Sequence, residues 1–383
     1  MSKPAFLKLH RWVGLALALL LFVQGLTGAF LAFRDEIERV IHPALVVEPA
    51  AERVPVQALL DTVQRAHPGL TVSRAEFPTW DDGAVLFKLT ARDDARWLTA
   101  VDPYRNIIVR DGPQSAWPGE WIFYIHYGLL AGPTGHIVIG IEGLALLFLV
   151  VTGPIVWWPG RRRIRQGLRV VTDRGADLKW RTLHRSAGAI AAVALGVVAL
   201  TGSLMVWKDP FRGALELVTP APGKPKPKVE ERPGAAMVPL DRLVARAQAD
   251  YGATPLRQIR FFDGGRVVSV CLDSDISIRA DGMKQIYYNR YDGSDVGHYV
   301  AGALPVGTEI VDWLFTVHTG LFGGLATRLL AVVLGLSLVG FSVTGVWLWY
   351  SRTVRRRRPR PRAAPAAAES ACCASSAPSK PAT

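Results

Sequence analysis

Charge is scarce in this sequence: of 383 residues only 20% are Asp, Glu, Lys or Arg, against 50% hydrophobic. Cysteine is scarcer, with Cys271, Cys372 and Cys373 alone. In the topology derived below, Cys271 and the adjacent pair lie on opposite sides of a membrane, which excludes a disulfide framework; Cys372 and Cys373 read as an inert or lipidated pair. Neither a G-x-x-x-x-G-K-[ST] nor a G-x-G-x-x-G run occurs, so a nucleotide-driven pump and an NAD or flavin site within this chain are excluded. Acidic residues are outnumbered: 45 Lys and Arg against 32 Asp and Glu leave a formal charge of +13. A soluble nucleic-acid binder of that charge would carry a higher charged fraction and would not collect its apolar residues into blocks.

Blocks are what this chain has. Four nearly uncharged stretches run from Val13 to Phe33, Ile137 to Trp158, Ala187 to Trp207 and Leu329 to Tyr350. Each is long enough to cross a hydrocarbon core of about 30 Å at about 1.5 Å per residue. The first is too long for the apolar region of a cleavable signal and has no small-residue cleavage site after it, so it reads as retained. Residues 1–12 hold three Lys or Arg, residues 159–186 hold nine and residues 351–383 hold eight. The positive-inside rule makes these segments cytoplasmic, with both termini inside. They total 20 basic against 3 acidic residues, while the rest holds 25 against 29. The surplus of positive charge is thus a topology signal rather than a nucleic-acid footprint.

The chain repeats itself. Leu9-His10-Arg11, Gly14 and Leu26-Thr27-Gly28 recur as Leu183-His184-Arg185, Gly188 and Leu200-Thr201-Gly202, at an offset of 174. Trp121, His126, Gly128-Leu129, Gly143, Thr152-Gly153 and Trp157 recur as Trp313, His318, Gly320-Leu321, Gly335, Thr344-Gly345 and Trp349, at an offset of 192. This predicts a membrane α-helical fold: four transmembrane helices as a tandem duplication, two per half, related by a pseudo-two-fold along the membrane normal. Each outer loop reads as a small α+β module. The first has a helix over Val54 to Ala66 and strands over Thr71–Phe77, Ala84–Thr90 and Arg96–Val109; the second has a helix over Pro239–Ala249 and strands near Leu256–Phe262, Arg266–Leu272 and Lys284–Tyr291. The expected segments are residues 1–33 (N-terminus and first span), 34–120 (first module), 121–158 (outer histidine segment and second span), 159–186 (basic loop), 187–207 (third span), 208–312 (Pro/Lys linker and second module), 313–350 (outer histidine segment and fourth span) and 351–383 (basic, disordered tail).

Four histidines fall at matching positions, His10 with His184 and His126 with His318. The two-fold would bring each pair together, the first at the cytoplasmic side and the second at the outer side. Two imidazoles facing each other in an apolar four-helix bundle suit axial ligation of a haem iron. Zinc would want further protein ligands, and no Cys or carboxylate cluster accompanies either pair. Gly28, Gly202, Gly153 and Gly345 lie at the depths of the opposite pairs, where a missing side chain leaves room for a porphyrin edge or simply allows close helix packing. Arg11 and Arg185 read as propionate partners or as membrane anchors. Glu142, matched by Leu334, and Gln24, matched by Val198, break the symmetry within the membrane, where an ionisable group marks function by default. His136 and its counterpart Arg328 are candidate contacts for propionates or an anionic ligand.

These motifs resemble the PepSY-associated transmembrane proteins, often called iron-regulated membrane proteins. The resemblance rests on Leu-His-Arg-Trp at 9–12, Leu-His-Arg at 183–185, each followed by Leu-Thr-Gly, His-Tyr-Gly-Leu at 126–129 and His-Thr-Gly-Leu at 318–321, and covers residues 5 to about 355. It implies periplasmic PepSY-like modules on a bacterial inner-membrane protein with two b-type haems held by His10, His184, His126 and His318. It further implies transfer of electrons from an external donor, a quinol or a cytosolic reductase, to a periplasmic ferric siderophore or other ferric chelate docked between the modules. The rival readings are a non-enzymatic membrane-anchored module that binds or regulates a periplasmic partner, and a haem or metal transporter.

Overall fold

The computed structural model describes residues 2–273 and 284–354. The tail expected to be disordered, with Cys372 and Cys373, lies outside the described residues. In chain order these residues form α1 (Lys3–Leu31), α2 (Arg34–Ile41), α3 (Val56–Ala66), β1 (Thr71–Glu76), β2 (Val85–Thr90), β3 (Arg96–Val101), β4 (Ile108–Pro113), α4 (Pro118–Gly128), α5 (Gly132–Trp157), α6 (Ile164–Leu168), α7 (Ala176–Val206), α8 (Lys208–Glu216), α9 (Leu240–Tyr251), β5 (Leu256–Phe262), β6 (Val267–Leu272), β7 (Lys284–Asn289), β8 (Asp295–Val300), α10 (Val306–Thr319) and α11 (Gly324–Thr353).

Helices α1, α5, α7 and α11 are long and apolar enough to cross a membrane, which makes the chain a multi-pass membrane protein. The shortest, α5, has 26 residues and so reaches about 39 Å. They close into a bundle in which α1 packs on α11 and α5 on α7, with α1 against α5 and α7 against α11 completing the ring. Small residues permit the closest approaches: a Cβ added at Gly25 of α1 would stand 2.6 Å from the Gly335 carbonyl oxygen of α11, and the reverse holds at Gly335. The helices extend beyond the apolar runs, since the Leu-, Lys- and Arg-containing flanks are good helix formers. His10 and His184 therefore lie within α1 and α7, a turn or more from their ends.

His126 and His318 sit on separate short helices, α4 and α10, that turn a corner into α5 and α11. The two corners differ. In the second, Gly320 supplies the left-handed residue at φ 74°. In the first, Leu129 and Leu130 both take left-handed backbone, at φ 52° and 57°. For a side-chain-bearing residue that conformation costs roughly 1 to 2 kcal/mol each.

The sheet departs most from expectation. Three strands per loop are predicted; each loop instead contributes four, because the run from Arg96 divides into β3 and β4 and β8 follows β7. The eight strands join one antiparallel sheet in the order β4-β3-β2-β1-β5-β6-β7-β8, which reads the same from either end. The central seam pairs Arg74 with Arg260, Ala75 with Ile259 and Glu76 with Gln258. One face is covered by α3 and α9 over a core that includes Leu59, Leu60, Phe87, Leu243, Ile259 and Ile286. The Asp241 carboxylate at the start of α9 accepts the Val56 and Gln57 N–H groups of α3, at 2.7 and 3.0 Å. Gln57 Oε1 accepts the Leu240 N–H in return, at 3.2 Å. Each helix start supplies acceptors for backbone donors that have no partner within their own helix. The expected cleft between two modules is therefore absent: a β-ladder and a reciprocal helix cap occupy the seam. Cys271 is buried in β6, its sulfur 3.7 Å from the Ser269 hydroxyl.

Salt bridges fasten the sheet to the bundle. Glu120 at the start of α4 pairs with Arg34 of α2 and, at 2.7 Å, with Lys88 of β2. Burial pushes the Glu120 carboxyl up, but the cations of Lys88 and Arg34 outweigh it and hold the group at about 2. Arg328 of α11 reaches Glu36 of α2 at 2.7 Å and the Ala32 carbonyl oxygen at 2.9 Å.

Candidate functional site

Each of the four matched histidines lies against a Thr-Gly pair on another helix. His10 Nδ1 stands 2.9 Å from Thr152 Oγ1 of α5, and His184 Nδ1 stands 2.7 Å from Thr344 Oγ1 of α11. At the sheet end, His126 Nδ1 is 3.0 Å from Thr27 Oγ1 of α1, and His318 Nδ1 is 3.3 Å from Thr201 Oγ1 of α7. All four hydroxyls donate to the carbonyl one turn back in their own helix: Thr152 to Phe148, Thr344 to Gly340, Thr27 to Val23 and Thr201 to Val197, at 2.6 to 2.8 Å. A hydroxyl so placed leaves its oxygen open to a histidine Nδ1–H. At His318 that tautomer is required, because Nδ1 also stands 3.0 Å from the Val198 carbonyl oxygen, which can only accept. There Nε2 keeps its lone pair, and among the described residues no hydrogen bond engages Nε2 of any of the four. This is the form in which an imidazole ligates a metal while its other nitrogen is anchored by the protein.

The glycine after each threonine seats the ring. A Cβ at Gly28 would fall 3.1 Å from His126 Cε1, and at Gly202 2.8 Å from His318 Cε1. At Gly153 and Gly345 the distances to His10 and His184 Cε1 are 3.5 and 3.9 Å, ordinary contact. The space expected for a cofactor edge is thus filled at the sheet end by the imidazoles themselves. The His126 and His318 ring centres are 6.2 Å apart with their planes at 51°. Gln24 donates to the His126 carbonyl oxygen at 3.1 Å, while its counterpart Val198 offers a backbone oxygen to His318, so the asymmetry at this position serves the same pair from both sides.

The remaining candidates separate. Arg11 lies over Trp12, 5.7 Å from its ring centre, and Arg185 donates to the Gly167 carbonyl of α6 at 3.2 Å. Both face the basic end of the bundle. Arg328 is engaged by Glu36 and Ala32 and stacks over Phe33, so its guanidinium is committed to the joint between α1 and α11. His136 stacks on Tyr127 at 4.4 Å, and its Nδ1 is 3.1 Å from the Tyr127 carbonyl oxygen. Glu142 is 3% exposed, and among the described residues neither carboxylate oxygen has a hydrogen-bond partner. Adjacent Gly143 packs on Ser203 and Ala199, which brackets Glu142 to the depth of Thr201-Gly202 and hence of His318. Among the described residues no group of three or more His, Cys, Asp or Glu is gathered for a metal. The threonines were readable, since Thr precedes Gly at all four positions, yet their role depends on the hydroxyl direction and that is a property of the folded helix.

A search of curated proteins gives no match. A family model described as the PepSY-associated TM region matches residues 7–352, from just before the first histidine to the end of the last helix. The chain with its two histidine pairs belongs to the PepSY-associated TM family.

Proposed function

We propose that this protein is an inner-membrane di-haem b oxidoreductase that passes electrons from a quinol or cytosolic reductase to a periplasmic ferric chelate, on a scaffold made by tandem duplication. The observation that carries the reading is the matched setting of the four histidines, each with Nδ1 against a threonine hydroxyl of another helix and Nε2 outside any hydrogen bond among the described residues. The spacing supports it. The His126 and His318 ring centres are 6.2 Å apart, near enough for both imidazoles to reach one metal ion between them. The orphaned Glu142 carboxylate at the same depth fits a bound group that the bundle would supply with a partner.

His126 and His318 would hold the haem at the sheet end, and His10 and His184 the haem at the basic end. When bound, such groups supply reversible one-electron chemistry at the iron. The chain's own part is orientation. The Thr hydroxyls hold the ring orientation, and at the sheet end Gly28 and Gly202 let the imidazole edges come close to the neighbouring helix. Apolar helices keep water from the centre, and the sheet stands over one end of the path. The positive-inside rule puts that sheet in the periplasm. Reduction of a ferric chelate there lowers the charge on the metal, which weakens its bonds to hard oxygen ligands and releases iron.

The reading is tested on purified protein in vesicles. Dithionite must sharpen a Soret band and an α-band, and a ferrous-iron trap must colour when a ferric chelate and a reductant are on opposite sides. Absence of both bands would leave an anchored binding module as the reading.

A further inference from the structure

An open cavity of about 750 Å³ lies between the sheet edge and the α4–α5 corner. Arg96 of β3 lines it on the sheet side, and Trp121, Tyr124, Tyr127, Leu130 and His136 line it on the helix side. Its volume is within the range of small-molecule sites, which are lined by aromatic walls with a few placed polar groups. Tyr124 and Tyr127 are carried on the same helix, α4, as His126, whose own side chain does not line the cavity.

The polar groups are oriented. His136 Nδ1 faces the Tyr127 carbonyl oxygen at 3.1 Å and must donate to it, so Nε2 is an acceptor for a hydroxyl hydrogen. The Arg96 guanidinium stacks on Tyr124 at 4.5 Å, which leaves its N–H edges available to oxygen. Three flat rings stand beside an acceptor and a cation.

The matching positions of the second half carry different side chains. Tyr124, Tyr127 and His136 correspond to Thr316, Thr319 and Arg328, and Arg328 is tied to Glu36 and Ala32. The corner that shapes the cavity is also the strained one: Leu129 and Leu130 take left-handed backbone where the other half uses Gly320. The paired histidines, their threonines and the glycines after those threonines obey the repeat, while these positions, like Gln24 and Glu142, do not.

We infer that this cavity binds a dihydroxyaryl ring, the chemistry shared by a quinol head and the catecholate arm of a ferric chelate. The aromatic wall packs against the ring; His136 takes a hydroxyl hydrogen where the oxygen is protonated, as in a quinol, and Arg96 meets an anionic oxygen where it is not, as in a metal-bound catecholate. The inference deepens the redox reading, which it relies on for turnover but not for binding.

The test is equilibrium dialysis of the full chain in nanodiscs against two probes: tris(catecholato)gallium(III), whose metal accepts no electron, and a short-tailed 1,4-benzoquinol. Saturable binding of either supports the inference, the gallium complex marking an acceptor site and the quinol a donor site. The double variant Tyr124→Thr with Tyr127→Thr, which copies the second half, must weaken binding about tenfold or more. Arg96→Ala, on an exposed strand end, must weaken the gallium complex. Tyr124→Phe with Tyr127→Phe keeps the rings and must keep binding, which separates lost stacking from misfolding. Failure of both probes, or binding indifferent to the Thr pair, overturns the inference. Haem absorbance of the same samples reads the other claim separately. Probe binding without haem removes the redox reading alone, and haem without probe binding removes the cavity alone.

Discussion

His318 Nδ1 stands 3.0 Å from the backbone carbonyl oxygen of Val198, an atom that can only accept. That contact fixes the ring's tautomer without reference to any hydroxyl, and a threonine hydroxyl stands at Nδ1 of each of the other three histidines. Among the described residues His318 is the one member of the set with a second Nδ1 partner.

The threonines are therefore unequal in what their loss does. Thr152→Val removes the one Nδ1 partner that His10 has among the described residues. Anchors of this kind are worth about 10- to 100-fold in metal-site affinity, so this variant must lose haem at the basic end on dilution. Thr201→Val leaves Val198 in place and must retain most of the sheet-end haem. Haem-to-protein ratios after gel filtration give the comparison.

Alanine at the paired glycines separates the two ends. A Cβ at Gly202 would sit 2.8 Å from the His318 ring, closer than real side chains approach, whereas at Gly345 the nearest ring atom is 3.9 Å away. Gly202→Ala must shift or abolish the sheet-end haem spectrum. Gly345→Ala must leave the spectrum unchanged.

Glu142 is matched by Leu334, so Glu142→Leu restores the repeat. Replacing a buried carboxyl that lacks partners among the described residues with an apolar side chain of similar size removes a desolvation cost of about 1 to 3 kcal/mol. The haem-free variant must unfold at higher temperature than the haem-free parent in detergent. A lower unfolding temperature would mean that the carboxylate is satisfied in the folded protein.

Glu120 gives a pH signature at the sheet–bundle joint. Its carboxyl is held down from 4.5 to about 2, so the stability it contributes is fully present above about 4.5 and is lost as pH falls toward 2. The contribution is on the order of 2 to 3 kcal/mol. Glu120→Gln must lower stability at neutral pH and flatten its decline between those values, as followed by chemical unfolding.

The four spans were legible because each is an uninterrupted apolar run, and the histidine pairs because two constant offsets recur. The offsets carry no information about strand pairing, however. The union of the modules into one sheet depends on the edge of β1 meeting β5 and on Asp241 capping α3, contacts between residues more than 180 positions apart. Strands β4 and β8 were missed because Asp-Pro and Gly turn signals sit close to short runs of mixed polarity. The glycines were placed at the depth of the opposite histidine pairs, while the contact of each with an imidazole Cε1 was not legible, since sequence position fixes height along a helix and leaves open what lies beside it. Arg328 read as a ligand contact, and only the folded joint reveals its carboxylate partner, Glu36.

The central claim is that four histidines make two separate haem sites, and haem stoichiometry in single variants tests it most directly. The wild-type chain must carry two haems with a low-spin, bis-imidazole reduced spectrum. His126→Ala and His318→Ala must each retain one haem, with the same residual spectrum, and His10→Ala and His184→Ala must each retain the other. A wild-type protein without haem, or residual spectra that do not sort by these pairs, would contradict the account.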